Sequence, residues 1–113
     1  MTMLSDQSLH QSLVSRIAAG DPAALRMLYG ALCEAAYREI QRVLSHPHDV
    51  EAVVQATFVE VWWLARYHTQ NDDIPAWVTA VAAHRAAERH RVVTSGAHLE
   101  EEDNRLILTR ILG

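Results

Sequence analysis

The chain has no lysine, so its ten basic residues are all arginine, and fourteen acidic residues leave a formal charge of −4. Nonspecific affinity for DNA grows with the number of phosphates that basic side chains neutralise. The charge balance therefore argues against broad nonspecific DNA binding. Any contact with nucleic acid has to come from a local group of arginines.

Cysteine and long apolar runs are also scarce. The single cysteine, Cys33, has no partner for an internal disulfide, so nothing in the chain requires an oxidising compartment. No stretch reaches the ~18 consecutive apolar residues that span a membrane, and residues 1–6 lack the basic stretch and apolar run of a secretion signal. We therefore expect a cytoplasmic protein with no membrane partner.

The sequence carries no recognisable catalytic or metal-binding pattern. No serine, cysteine or threonine comes with a base and an orienting acid, and there is no glycine-rich phosphate loop. The nearest histidine pairs are His46 with His48 and His84 with His90, and neither pair has the i,i+4 spacing or the additional ligands of a metal site. We predict that the protein is not an enzyme and binds no metal or other cofactor.

The composition favours helices. The chain has only four glycines and three prolines, and alanine, leucine, valine, arginine and glutamate predominate. Its 113 residues suffice for one compact core. The sequence predicts an all-α fold, a compact bundle of about four helices in residues 1–93. A linker and a short amphipathic tail with the pattern of one further helix follow in residues 94–113.

Apolar residues recur at intervals of three and four, the period of a helix that is buried on one side. Gly20, Asp21 and Pro22 separate the first two helices, because glycine ends one helix, aspartate caps the next and proline suits its first position. Pro47 disfavours helical geometry in the residue before it, so we expect Asp49 to cap the third helix. The predicted helices cover about residues 6–19, 22–44 and 49–66, and a fourth begins at Pro75.

The third predicted helix has its core residues on one side. That side carries Val50, Val53, Val54, Thr57, Phe58 and Val61. Glu51 and Gln55 lie away from it and are left for solvent or a partner. Trp62 and Trp63 are neighbours about 100° apart around the helix, so we expect one of them to be partly exposed.

The fourth predicted helix carries arginines in its later turns, at positions 85, 89 and 91. Its earlier residues Trp77 and Val78 mark a buried side. The arginines suit the negative end of the helix dipole, so a solvated helix end is the simpler interpretation. A surface that faces DNA is the alternative interpretation.

Three segments, Leu13 to Tyr29, Asp49 to Trp62 and Ala76 to Arg91, follow one another with regular spacing and together cover most of residues 9–92. In order and spacing they resemble region 2 of bacterial sigma factors of the extracytoplasmic-function group. The resemblance implies an all-α domain that binds core RNA polymerase and helps to recognise and melt the minus-ten promoter element.

The resemblance also implies two partner surfaces. The exposed side of the third helix is expected to dock on the clamp helices of the largest polymerase subunit through Glu51, Gln55 and Trp62. The loop from Tyr67 to Ile74 and the fourth helix are expected to capture a flipped base and to read the minus-ten element as single-stranded DNA. The residues expected to face DNA are Asn71, His84, Arg85, Arg89 and Arg91.

The chain departs from the family pattern at several positions. Ala52 and Ala56 stand where the family usually carries acidic residues that help to bind the clamp. Asp72 and Asp73 bring negative charge into the loop that approaches DNA. The family's second domain, a helix-turn-helix, has no counterpart in these residues, so we expect either a fragment or a protein that works without that domain.

These departures support a second hypothesis. In it the chain is a degenerate sigma-like interaction module without initiation activity, which binds an anti-sigma protein, another regulator or a second copy of itself. An exposed Trp62 or Trp63 and the apolar residues from Leu106 to Leu112 would then be the hydrophobic anchors. A third possibility is a packed helical domain whose tail only covers the core.

Overall fold

The computed structural model describes residues 6–68, 73–95 and 101–113. These residues form helices and no strands, which confirms the predicted all-α fold. A short 3₁₀ turn, Ala65–Tyr67, follows the third helix. The helices are α1 (Asp6–Ala18), α2 (Pro22–Gln41), α3 (Pro47–Leu64), α4 (Ile74–Ser95) and α5 (Glu101–Leu112).

The connection between α1 and α2 follows the sequence signals closely. Gly20 has a positive φ of 91°, which a residue without a side chain adopts at little cost. The carboxylate of Asp21 accepts a hydrogen bond from the backbone N–H of Ala23 at 3.0 Å and so caps α2. Arg16 donates from Nε to Oδ2 of Asp21 at 2.9 Å. The capping carboxylate therefore also ties the end of α1 to the start of α2.

The Asp21 contacts give stability a defined pH dependence. The hydrogen bond from Arg16 is the largest cause that lowers the pKa of Asp21 below its ordinary value of 3.8. Because the pKa of Asp21 is lower in the folded chain, the stabilisation is fully present above the ordinary pKa of 3.8. It is lost as the pH falls through the lower pKa of the folded chain. Asp21→Asn keeps a capping side chain but removes the charge. We expect the difference in unfolding free energy between wild type and Asp21→Asn to shrink from neutral pH to about pH 3, measured by urea denaturation. An unchanged difference would mean that the charge of Asp21 does not contribute.

The core lies around α3, which contacts each of the other helices. Its inward side is buried as predicted, and Phe58 is fully buried with its ring edge against Tyr29 of α2, at 4.8 Å between centroids. Thr57 is also buried and donates its hydroxyl to the carbonyl oxygen of Val53 at 2.7 Å, so its polar group is satisfied within the helix. α1, α2 and α4 surround α3 with their own apolar sides.

The start of α3 differs from the sequence prediction. The helix begins two residues earlier, at Pro47, and its cap is His46, whose Nδ1 accepts a hydrogen bond from the backbone N–H of His48 at 3.2 Å. The expectation that Asp49 caps the helix was wrong. Asp49 lies inside the first turn, where its carboxylate is available for a contact with another helix.

The further helix indicated by residues 94–113 is present as α5, and it packs on α3 and α2. Leu108 is buried, whereas Leu106 on the opposite side of α5 is 59% exposed. Ile107 and Ile111 pack partly against the core. Within the described residues, no helix is long and apolar enough to cross a membrane.

Candidate functional site

The three residues expected to bind polymerase lie along one side of α3, at intervals of four and seven residues. Glu51 is exposed, Gln55 is half-buried, and Trp62 is partly buried against the core. Trp63 is 51% exposed, which confirms that one of the adjacent tryptophans faces outward. The three predicted residues therefore share a side, but only Glu51 is fully accessible on it.

Glu51 of α3 lies near enough to two tyrosines of α2 to act on them electrostatically. Burial is the largest cause that raises the pKa of Tyr29 and of Tyr37 on α2, and the negative charge of Glu51 acts in the same direction on both hydroxyls. The two tyrosines therefore stay neutral at physiological pH.

Arg85 of α4 is engaged with acidic residues rather than pointing freely outward. Its Nε donates to Oε1 of Glu60 on α3 at 2.7 Å, and its Nη2 forms an ion pair with the same oxygen. Its Nη1 lies 3.3 Å from Oε1 of Glu88, in the next turn of α4. Two carboxylates at this range offset most of the attraction that the guanidinium would offer to a phosphate.

Arg89 is more buried than Arg85 and is paired with a carboxylate of α3. Its Nε and Nη2 both donate to Oδ1 of Asp49 on α3, at 3.0 and 2.8 Å. The side chains of Arg89 and Asp49 are only 13% and 16% exposed. The pair joins the later turns of α4 to the first turn of α3, so Arg89 stabilises the packing of these two helices.

The remaining residues expected to face DNA differ from Arg85 and Arg89 in exposure and position. His84 is 67% exposed, with Nε2 at 3.5 Å from Oε2 of Glu88. Arg91 is exposed near the end of α4. Asn71 and Asp72 lie outside the described residues, and Asp73 caps α4 by accepting from the backbone N–H of Ala76 at 3.1 Å. Of the predicted DNA-facing side chains that the structure describes, His84 and Arg91 are the most accessible, and the paired Arg85 is 39% exposed.

Sequence reasoning missed an apolar stripe on the outer side of α3. Val59 is one helical step past Phe58 and points away from the inward side, yet it is only 6% exposed. Ala52 and Ala56 are half-buried on the same outer side, and Trp63 continues the line. We call these four residues the outer stripe. The signal was visible in the sequence, because the four follow one another by four, three and four residues.

α5 packs against this outer side. Asn104 of α5 lines a small cavity of about 50 Å³ together with Ala52 and Ala56 of the outer stripe. At its other end α5 reaches α2, where Nη1 of Arg26 donates to the carbonyl oxygen of Leu112 at 2.7 Å. α3 is therefore enclosed on two opposite sides, by the bundle core and by α5.

A second cleft, of about 410 Å³, lies between α1, the 3₁₀ turn and the start of α4. The ring of His68 at its edge packs against Trp77, with 3.7 Å between centroids. Trp77 is half-buried rather than fully buried. The polar side chains that line the cleft are Ser8, Gln11, Ser12, Ser15, Arg66 and His68.

Comparisons of the chain with protein-family models, with curated proteins and with solved structures gave no match. The candidate site therefore rests on its own geometry and on the three sequence segments. That geometry combines an α3 whose outer side is packed against α5 with an α4 whose Arg85 and Arg89 pair with carboxylates of α3.

Proposed function

We propose that this protein is a sigma-factor region 2 domain of the extracytoplasmic-function type, which binds core RNA polymerase and helps to recognise and melt the minus-ten promoter element. The clamp of the largest polymerase subunit is the proposed protein partner, and single-stranded promoter DNA is the proposed nucleic-acid partner. A protein with this role acts in the cytoplasm, where polymerase and the promoter meet.

One observation carries the proposal. α3, with Glu51, Gln55 and Trp62 along one side, packs directly on α4, so the two helices of the family resemblance form one unit. The Arg89 contact with Asp49 fixes their relative position. A rigid pair of helices can present one side to a protein and the exposed His84 and Arg91 to a nucleic acid.

The ion pairs of α4 favour a second candidate function. Arg85 and Arg89 are paired with carboxylates of α3, which leaves less positive charge for a DNA backbone than the resemblance implies. The chain would then be a sigma-like interaction module that binds an anti-sigma protein, another regulator or a second copy of itself and does not initiate transcription. The exposed Trp63 supports this candidate as a hydrophobic anchor.

Binding to purified core polymerase tests the first candidate. Glu51→Gln combined with Gln55→Ala should weaken the binding about tenfold, because both side chains would lose polar contacts to the clamp. The matched control is Glu34→Gln combined with Gln41→Ala on exposed positions of α2, which should bind like wild type. Biolayer interferometry with immobilised core polymerase measures both affinities. Equal losses in both double variants would refute the assignment to α3.

Crosslinking to a promoter that contains a melted bubble, in the presence of core polymerase, separates the two candidates. Under the first, the wild-type chain crosslinks and His84→Ala combined with Arg91→Ala reduces the yield. Arg38→Ala, an exposed arginine on α2, is the control for loss of one positive charge. Under the second, a protein partner is bound but no crosslink to DNA forms.

A further inference from the structure

α5 covers a surface that borders the proposed polymerase-binding residues. Gln55 is three residues from Ala52 and four from Val59, so its side chain lies beside the outer stripe. Gln55 itself is only partly exposed to solvent. A helical partner that contacts Gln55 and Trp62 along the axis of α3 therefore needs space that α5 occupies.

We propose that α5 is a built-in competitor, which rests on Ala52, Ala56 and Val59 of the outer stripe and has to leave before polymerase binds the neighbouring Gln55 and Trp62. This inference rests on the proposed function, because α5 covers the surface next to the proposed polymerase-binding residues. It adds regulation to that function: the fraction of molecules with α5 released sets the apparent affinity for polymerase.

α5 packs at a specific position on α3 and α2 and does not lie loosely over them. Leu108 is 5% exposed and belongs to the continuous core cluster, and Val59 on α3 is 6% exposed although it points outward. The alanines of the outer stripe have short side chains, which allow a second helix to approach α3 closely. The hydrogen bond from Arg26 to the carbonyl oxygen of Leu112 fixes the far end of α5.

Because α5 is short, its docking on α3 and α2 is reversible. α5 has 12 residues, and isolated helices shorter than ~12–15 residues are marginally stable in water. Its helical structure therefore depends on the contact with α3 and α2. Undocking and unfolding of α5 are coupled, so a competitor that takes the outer stripe also melts α5.

The test uses the full chain with one substitution on each side of α5. Leu108→Asp places a charge in the buried contact and should release α5, whereas Leu106→Asp makes the same change at an exposed position. Amide hydrogen exchange of residues 101–112 reports the docking, and we expect protection to be lost in Leu108→Asp alone. Core polymerase should bind Leu108→Asp about tenfold or more tightly than wild type, and Leu106→Asp like wild type.

A milder variant guards against general unfolding of Leu108→Asp. Arg26→Ala removes only the hydrogen bond to Leu112, and Arg38→Ala removes an exposed arginine elsewhere on α2. Arg26→Ala should increase exchange in residues 101–112 and tighten polymerase binding by about twofold to fivefold, in the same direction as Leu108→Asp. Arg38→Ala should change neither.

The possible outcomes separate this inference from the proposed function. If Leu108→Asp or Arg26→Ala frees α5 and polymerase affinity rises, the inference is supported. If α5 is freed and affinity stays equal to that of wild type, or falls while the bundle stays folded, the inference is overturned and the proposed function stands. If wild type and every variant fail to bind polymerase, the proposed function fails and the inference fails with it.

Discussion

Arg89→Ala is expected to lower the free energy of unfolding by about 2–4 kcal/mol, because it leaves the carboxylate of Asp49 largely buried without its partner. Both side chains are less than one fifth exposed, at 13% and 16%, and two hydrogen bonds of 3.0 and 2.8 Å join them. Urea denaturation followed by circular dichroism measures the change. Simultaneous replacement of Asp49 and Arg89 by alanine should cost less than the sum of the two single changes.

Arg91→Ala is the matched control for this prediction. Arg91 is exposed two residues further along α4, so its removal should change stability by no more than about 0.5 kcal/mol. Equal and small effects at both positions would show that apolar packing alone holds α4 on α3. A large effect at Arg89 would assign that guanidinium to the fold, and a loss of DNA crosslinking in Arg89→Ala would then not identify a DNA contact.

Phe58→Ala is expected to lower the free energy of unfolding by about 3–5 kcal/mol, the largest change that we anticipate at a single side chain. Phe58 is fully buried in the middle of α3, and its ring packs edge-on against Tyr29 at 4.8 Å and 60°. Removal of the ring leaves a cavity at the place where α2 meets α3. Since small domains are stable by only about 5–15 kcal/mol, the midpoint of thermal unfolding should fall steeply.

Two comparisons make the Phe58 result interpretable. Phe58→Leu fills most of the same volume and should cost only about 1–2 kcal/mol. Trp63→Ala removes a larger ring from a half-exposed position on the same helix and should also cost less than Phe58→Ala. If Phe58→Ala cost no more than Phe58→Leu, the helices around α3 would have to close over the vacated space.

The number and order of the helices could be predicted because their boundaries are marked locally. Gly20, Asp21 and Pro22 each act on the backbone within one or two residues, so the end of α1 and the start of α2 follow from the sequence alone. The start of α3 was assigned to the wrong residue for a related reason. Several polar residues near Pro47 offer a capping atom, and the sequence does not show that a tertiary contact already uses Asp49.

The charge state of the candidate site could not be predicted, because its partners are far apart in the sequence. Arg85 meets Glu60 across 25 positions, and Arg89 meets Asp49 across 40. Helical periodicity places all four residues on surfaces but does not tell which surfaces meet. The packing of α4 on α3 brings Arg85 to Glu60 and Arg89 to Asp49. His84 and Arg91, beside them in the sequence, stay exposed.

The enclosure of α3 has a consequence for how any partner arrives. Because α3 has apolar residues on two opposite sides, departure of α5 exposes Val59 and its neighbours to water, which costs free energy. A partner that binds the outer side therefore has to replace the apolar contacts that α5 provides. The outcome depends on the difference between two packing energies, so a partner of modest strength that would bind a vacant surface of the same size does not displace α5.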